Sequence, residues 1–149
     1  AGLMCFGMQA KRYLPATPDG RRKGDLTASS FSPSVGMDKS GPTAVFKSAA
    51  KMDHVKTGGT LLNLKFTPDL LAGERGIDSL AHLVRGYFKL DGHHVQFNVV
   101  TADKLREAQL DPDRHRGLIV RVAGYSDYFC DLSRELQDEI ITRTEHEAL

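Results

Sequence analysis

Gly117-Leu118-Ile119-Val120-Arg121-Val122 runs directly into Ala123-Gly124-Tyr125-Ser126-Asp127-Tyr128-Phe129, and the fold turns on this stretch. Its first half is apolar almost without break, which predicts a short buried strand. Beyond it, Ser133 stands where a helix N-cap belongs, Glu135 falls in the first turn, and Leu136, Ile140 and Ile141 share one face. Gly124 is thereby expected at the tip of a strand–loop–helix unit. For a glycine so placed, the plain structural role is a turn residue with positive φ.

Working outward, the same alternation recurs. Thr60-Leu61-Leu62-Asn63-Leu64-Lys65-Phe66 reads as a strand that Pro68 closes. Ile77, Leu80, Leu83, Val84, Tyr87 and Phe88 follow helical spacing, and Gly92 supplies a stop. From His94 to Val100 the pattern alternates, with Val95, Phe97 and Val99 on one face and Gln96 and Asn98 on the other. Thr101 is placed to cap a short helix reaching about Gln109. Strand, helix, strand, helix, strand, loop, helix indicates an α/β architecture. Residues 1–56 are different: rich in Gly, Pro, Ser and Thr, with a tight turn at Pro18-Asp19-Gly20, a pinned loop from Phe31 to Pro42 and a short helix from Thr43 to Met52. That segment is a poor independent core and is expected to lean on structure outside the chain. The expected division is 1–56, 57–117 and 118–149.

Composition excludes more than it identifies. Twenty basic residues against nineteen acidic ones give a net charge of +1, which offers no electrostatic case for nucleic acid or membrane binding. Arg21-Arg22-Lys23 is offset by Asp19 and Asp25 and reads as a solvated turn. No apolar run approaches the roughly 18 residues of a membrane span, and no secretion signal is visible. Two cysteines make no disulfide framework, so a cytoplasmic location is expected. His54, His82, His115 and His146 stand alone, and His93-His94 would point to opposite faces of a strand, so no metal site is expected. A GxxxxGK phosphate loop is absent. Asn63, Gln96 and Asn98 face either a substrate cavity or simply one another.

Arg121-Val122-Ala123-Gly124-Tyr125-Ser126, with Phe129, resembles the radical loop of the glycyl radical enzymes, the pyruvate formate-lyase-like superfamily. The stretch from Asp131 to Thr144 is similar to that family's terminal helix, and Gln96-Phe97-Asn98-Val99-Val100 to the strand preceding its radical domain. Thr17-Pro18-Asp19-Gly20-Arg21, Ser32-Pro33, Gly36, Asp38 and Gly41-Pro42-Thr43-Ala44 match further signatures. The resemblance implies the C-terminal portion of a ten-stranded α/β barrel, with residues 1–56 packing on the rest of it. It implies that Gly124 carries the radical after activation, with Arg121, Val122, Ala123, Tyr125, Ser126 and Phe129 supporting the loop. No cofactor is bound in such enzymes. A radical S-adenosylmethionine activating enzyme installs the protein radical, and the holoenzyme is expected to be a homodimer.

Glycine suits that chemistry for a physical reason. Loss of hydrogen from its Cα leaves an electron shared with the flanking amides, and no side chain opposes flattening of the centre. Tyr125, Tyr128 and Phe129 are expected to shield it from water, as core aromatics also would. Arg121 is expected only to pair with a carboxylate. In the family a thiyl cysteine upstream attacks the substrate, followed by a glutamate two positions on in the dehydratase-like and decarboxylase branches. Cys5, followed by Phe6 and Gly7, and Cys130, six residues past Gly124, fit no such loop and read as packing residues. The chain is thus expected to hold the radical store without its working partner and to be inactive alone. Ala123, Ser126 and Arg143-Thr144-Glu145-His146 favour the dehydratase-like and decarboxylase branches over classical pyruvate formate-lyase. The alternatives are a spare-part glycyl radical cofactor protein that docks onto an oxygen-damaged enzyme, a formate C-acetyltransferase fragment, and a decayed structural domain.

Overall fold

In the computed structural model, which describes residues 14–18, 20–25, 27–34, 36–57 and 60–148, strand β1 (Asn63–Phe66) is buried at every position. It is the middle of a three-stranded sheet, between β2 (Gln96–Val99) and β5 (Glu145–His146). Both pairings are parallel, with Asn63 opposite Gln96 and Phe66 opposite both Val99 and His146. Parallel neighbours need a crossover, and between β1 and β2 it is made by a 3-10 turn (Pro68–Leu71) and helix α2 (Gly73–Lys89). Ahead of them lies α1 (Pro42–Ala49), started by proline in its first turn. After β2 come α3 (Ala102–Leu110), a 3-10 turn (Pro112–His115), β3 (Ile119–Arg121), β4 (Ser126–Tyr128) and α4 (Arg134–Thr142).

The expected α/β alternation and the two N-caps are present. Thr101 Oγ1 accepts from the Lys104 amide at 3.2 Å and Ser133 Oγ from the Leu136 amide at 3.4 Å. The Thr17 carbonyl accepts from Gly20 N–H at 3.1 Å, with Gly20 at φ +94°. Arg22 and Asp25 close the exposed basic turn through Arg22 N–H to Asp25 Oδ2, 2.9 Å. Cys5 lies outside the described residues.

Several expectations need correcting. Gly124 is at the tip of a strand–turn–strand hairpin, because β4 pairs back antiparallel onto β3 before the helix begins. Serine, aspartate and tyrosine in β4 all point to solvent, so no apolar alternation announced that strand. The β3 strand is not buried throughout: Ile119 is 59% exposed, while Val120 is buried. In β2 the alternation holds, and it is the polar face that lies inward: Gln96 and Asn98 are buried and Val99 is 48% exposed. The polar side lies inward because it has partners there, as set out below. His93-His94 precede β2 rather than lying in it, and His93 stacks on His54 with ring centroids 5.3 Å apart. Along α2, Tyr87 is buried but Ile77 and Phe88 are open to solvent.

The stop after α2 is also displaced by one position. Asp91, at φ +62°, is the left-handed residue, and the Asp91 and Gly92 amides return to the carbonyls of Phe88 and Tyr87 at 3.1 Å. Gly92 is needed for space: a Cβ there would lie 2.3 Å from the Tyr87 ring.

Among the described residues apolar packing forms two clusters. One joins Val45, Phe46, Leu62, Leu64, Phe66 and Tyr87 around α1, β1 and α2. The other joins Leu105, Val120, Val122, Phe129, Ile140 and Ile141 around α3, β3 and α4.

Candidate functional site

The hairpin around Gly124 is built by alternation of hydrogen bonds. Phe129 N–H donates to Leu118 C=O at 2.8 Å and Val122 N–H to Tyr125 C=O at 2.9 Å, leaving Ala123 and Gly124 to make the turn. Gly124 has φ +78°, where an L side chain is strained. Its surroundings are open: the nearest atom to an added Cβ is Leu61 Cδ1 at 3.4 Å. Backbone conformation, rather than crowding, therefore accounts for glycine as far as the fold is concerned.

The supporting residues divide into an anchored stem and an exposed tip. Val122 and Phe129 are buried in the C-terminal core and Ala123 is half-buried. Gly124, Tyr125, Ser126 and Tyr128 are exposed, Tyr125 by 48% and Tyr128 by 46%. Of the three aromatics expected to shield the glycine, only Phe129 is covered within this chain, and it serves as core.

Among the described residues Arg121 pairs with no carboxylate. Its Nε donates to Gln96 Oε1 at 2.7 Å and its Nη1 to Ser126 Oγ at 3.3 Å. Gln96 Nε2 in turn donates to Asn63 Oδ1, and Asn63 Nδ2 to Ser29 Oγ at 3.2 Å. A line of polar side chains thus runs from the N-terminal segment across β1 and β2 to the hairpin. The Arg121 charge and partial burial together hold the His94 imidazolium below its ordinary pKa, burial being the larger cause.

Arg143, which the spacing of the sequence did not connect with the hairpin, grips its stem with Glu139 behind it. Arg143 donates from Nη1 to Arg121 C=O at 3.2 Å and from Nη2 to Val122 C=O at 3.0 Å. Glu139 orients that guanidinium through a two-point pair at 2.8 and 3.1 Å. Their spacing of four along a helix end was a readable signal, but nothing in it named the target. Beyond α4, Thr144 Oγ1 donates to Asp38 Oδ1, and Glu145 accepts from the Ala102 amide at the start of α3.

Cys130 packs against the C-terminal core, its Sγ 3.4 Å from His115 C=O, and burial raises its thiol pKa. That environment disfavours a thiolate. Among the described residues no group of three or more His, Cys, Asp or Glu is arranged to hold a metal ion, and no helix is long and apolar enough to cross a membrane.

The glycine radical family matches residues 27–130. The chain belongs to that family. It is 58% identical over 132 residues to a trans-4-hydroxy-L-proline dehydratase of Clostridioides difficile, covering 89% of this chain and 17% of that protein. An indoleacetate decarboxylase of Tractidigestivibacter scatoligenes is 44% identical over 139 residues, with 93% and 16% covered. Among solved structures, hydroxyproline dehydratase from Clostridioides difficile superposes with TM-score 0.88 at 54% identity, over 95% of this chain and 18% of that one. The B12-independent glycerol dehydratase from Clostridium butyricum gives 0.89 at 44% identity, over 95% and 18%. The chain therefore spans about a sixth of the length of these relatives and corresponds to their C-terminal glycyl radical domain. Its α/β elements are the portion of the glycyl radical barrel expected from the sequence, and the relatives fall in the dehydratase and decarboxylase branches.

Proposed function

We propose that Gly124 stores a carbon-centred radical for a lyase of the dehydratase or decarboxylase type. The observation that carries this is the geometry of Gly124 itself, at φ +78° on an exposed turn held by a buried stem, inside a segment that matches the glycine radical family. A radical S-adenosylmethionine activase removes one hydrogen atom from its Cα. The radical then takes hydrogen from a cysteine outside this chain, and that thiyl radical acts on the substrate. Cys130, packed in the C-terminal core, is not that cysteine. The working partner is the remainder of a glycyl radical barrel, in a homodimeric cytoplasmic holoenzyme, and the chain has no turnover by itself. Arg121, Val122, Ala123, Tyr125, Ser126 and Phe129 support the loop, the exposed tyrosines being covered when the barrel is complete. Residues 1–56 pack on that barrel, 57–117 extend it, and 118–149 form the unit bearing the radical.

The test is spectroscopic. Anaerobic incubation of the native polypeptide carrying this chain with its activase and a reductant gives a glycine-centred doublet in electron paramagnetic resonance. Gly124→Ala abolishes it. A doublet that survives the substitution places the radical elsewhere.

A further inference from the structure

The stem of the hairpin meets the parallel sheet without a backbone ladder. Hydrogen-bonded pairs of the hairpin fall at Leu118–Phe129 and Val122–Tyr125. By the alternation of antiparallel pairing, Arg121 turns its own N–H and C=O away from β4. Those groups face β2, yet no backbone hydrogen bond joins β2 to β3 among the described residues, and the two strands lie in separate sheets. The Asn98 carboxamide takes their place. Arg121 N–H donates to Asn98 Oδ1 at 2.7 Å, and Asn98 Nδ2 donates to Arg121 C=O at 2.7 Å.

We propose that Asn98 is a positioning residue for Gly124, a two-point latch that docks the radical hairpin onto β2 and sets how often it lets go. The role rests on Gly124 as the radical store. A carboxamide side chain presents an N–H donor beside a C=O acceptor, as a backbone residue does, so it can complete a strand pairing at a single point. A continuous ladder would add further bonds along β3 and open only by unzipping the sheet. The latch is buried, with Asn98 only 6% exposed, so leaving it half-made is unfavourable and the hairpin is either docked or released. Further polar links to the stem are also side-chain bonds: Arg121 to Gln96, Arg143 to the carbonyls of Arg121 and Val122, and Gln137 Nε2 to Phe129 C=O. A small, fixed set of such bonds is what an element needs if it must lie covered during chemistry and reachable during activation.

The experiment uses the native polypeptide that carries this chain, with Asn98→Ala and Asn98→Asp. The aspartate keeps an acceptor for Arg121 N–H and puts an oxygen opposite Arg121 C=O, so the latch is impaired without a cavity. In the unactivated protein, amide hydrogen exchange across residues 121–129 is expected to rise on the order of tenfold in both variants, with β1 unchanged. With activase and reductant, the glycine doublet should then accumulate faster than in the wild type, while turnover per radical falls. A merely structural defect lowers both rates together, and that result overturns the proposal. Unchanged exchange in both variants overturns it as well. A wild-type protein that gives no glycine doublet sinks the radical assignment instead, a failure that the exchange data, taken without activase, keep separate from failure of the latch.

Discussion

The two apolar cores of this chain are assembled differently. The N-terminal core brings together α1, β1 and α2, and its members span residues 45–87. The C-terminal core is drawn wholly from residues 100–141, with α3, β3, Phe129 and α4 all contributing. The contacts between them are largely polar. Asn98 and Gln96 meet Arg121, Lys65 reaches the carbonyls ending α4, and Asp38 meets Thr144. Apolar contact is non-directional and tolerates sliding, whereas each polar contact fixes one geometry and is unfavourable to leave unmade. Such a seam specifies one docked arrangement and lets each core keep its own cohesion. On the proposed reading, in which Gly124 is reached by an activase and then covered for turnover, that separation is more useful than one welded core.

The largest expected effect tests whether the cores are separate. Phe129 is fully buried in the C-terminal core, and Phe129→Ala should cost about 3–5 kcal/mol through lost burial and the cavity left behind. If the seam is a real boundary, hydrogen exchange will show protection lost across α3, β3 and α4 first, with the β1–β2 pairing still protected. Simultaneous loss in both regions would mean a single cooperative unit, and the comparison would fail.

A smaller effect tests the seam itself. Lys65 has a fully buried side chain whose Nζ donates to Ile141 C=O at 2.9 Å and lies 3.5 Å from Glu145 Oε1. Burial, only partly countered by Glu145, lowers its pKa. Lys65→Met removes the cap from the end of α4 but also removes the desolvation penalty of a buried ammonium. The expected loss is about 1–3 kcal/mol, read from denaturant midpoints. It should be accompanied by faster exchange in β5, which pairs with β1 at this residue. A gain in stability would show that desolvation outweighs the contacts, leaving the seam to act on geometry alone.

How much of this was legible in the sequence depended on the kind of interaction. The caps at Thr101 and Ser133, the helix α2 and the α/β alternation follow from local chemistry within a few residues, and they appear where the pattern puts them. The glycine-centred wording was also local. The inward face of β2 was not, because alternation says only that Gln96 and Asn98 share a side. Which side is buried depends on Asn63 and Arg121, about 33 and 25 residues away from Gln96. The hairpin strand β4 was hidden because all its residues are solvent-facing and carry no apolar period. Arg143 and Glu139 showed helical spacing, but the carbonyls that Arg143 grips lie more than twenty residues upstream.

The smallest effect concerns pH and the far end of the seam. His146, in β5, is 4% exposed, with Nε2 3.4 Å from Asp38 Oδ2 and its ring 5.9 Å from Phe66. Asp38 approaches from the N-terminal segment, while Lys65 and Glu145 face each other on the adjoining positions of β1 and β5. Burial lowers the imidazole pKa below 6.5, and the attraction of Asp38 offsets this only in part. Among the described residues the Nε2 atom makes no hydrogen bond. Between the lowered folded value and 6.5 the unfolded chain binds more protons than the folded one, so stability increases with pH across that window. The contribution is fully present above 6.5 and is lost as pH falls through 6.5 to the folded value. Denaturant midpoints at about pH 7.5 and about pH 5.5 should therefore fall more for the wild type than for His146→Gln, which cannot titrate. Comparing the two proteins cancels the carboxylates they share. If the wild type lost less than the variant on acidification, the Asp38 pairing would outweigh burial, and this end of the seam would tighten rather than loosen in acid.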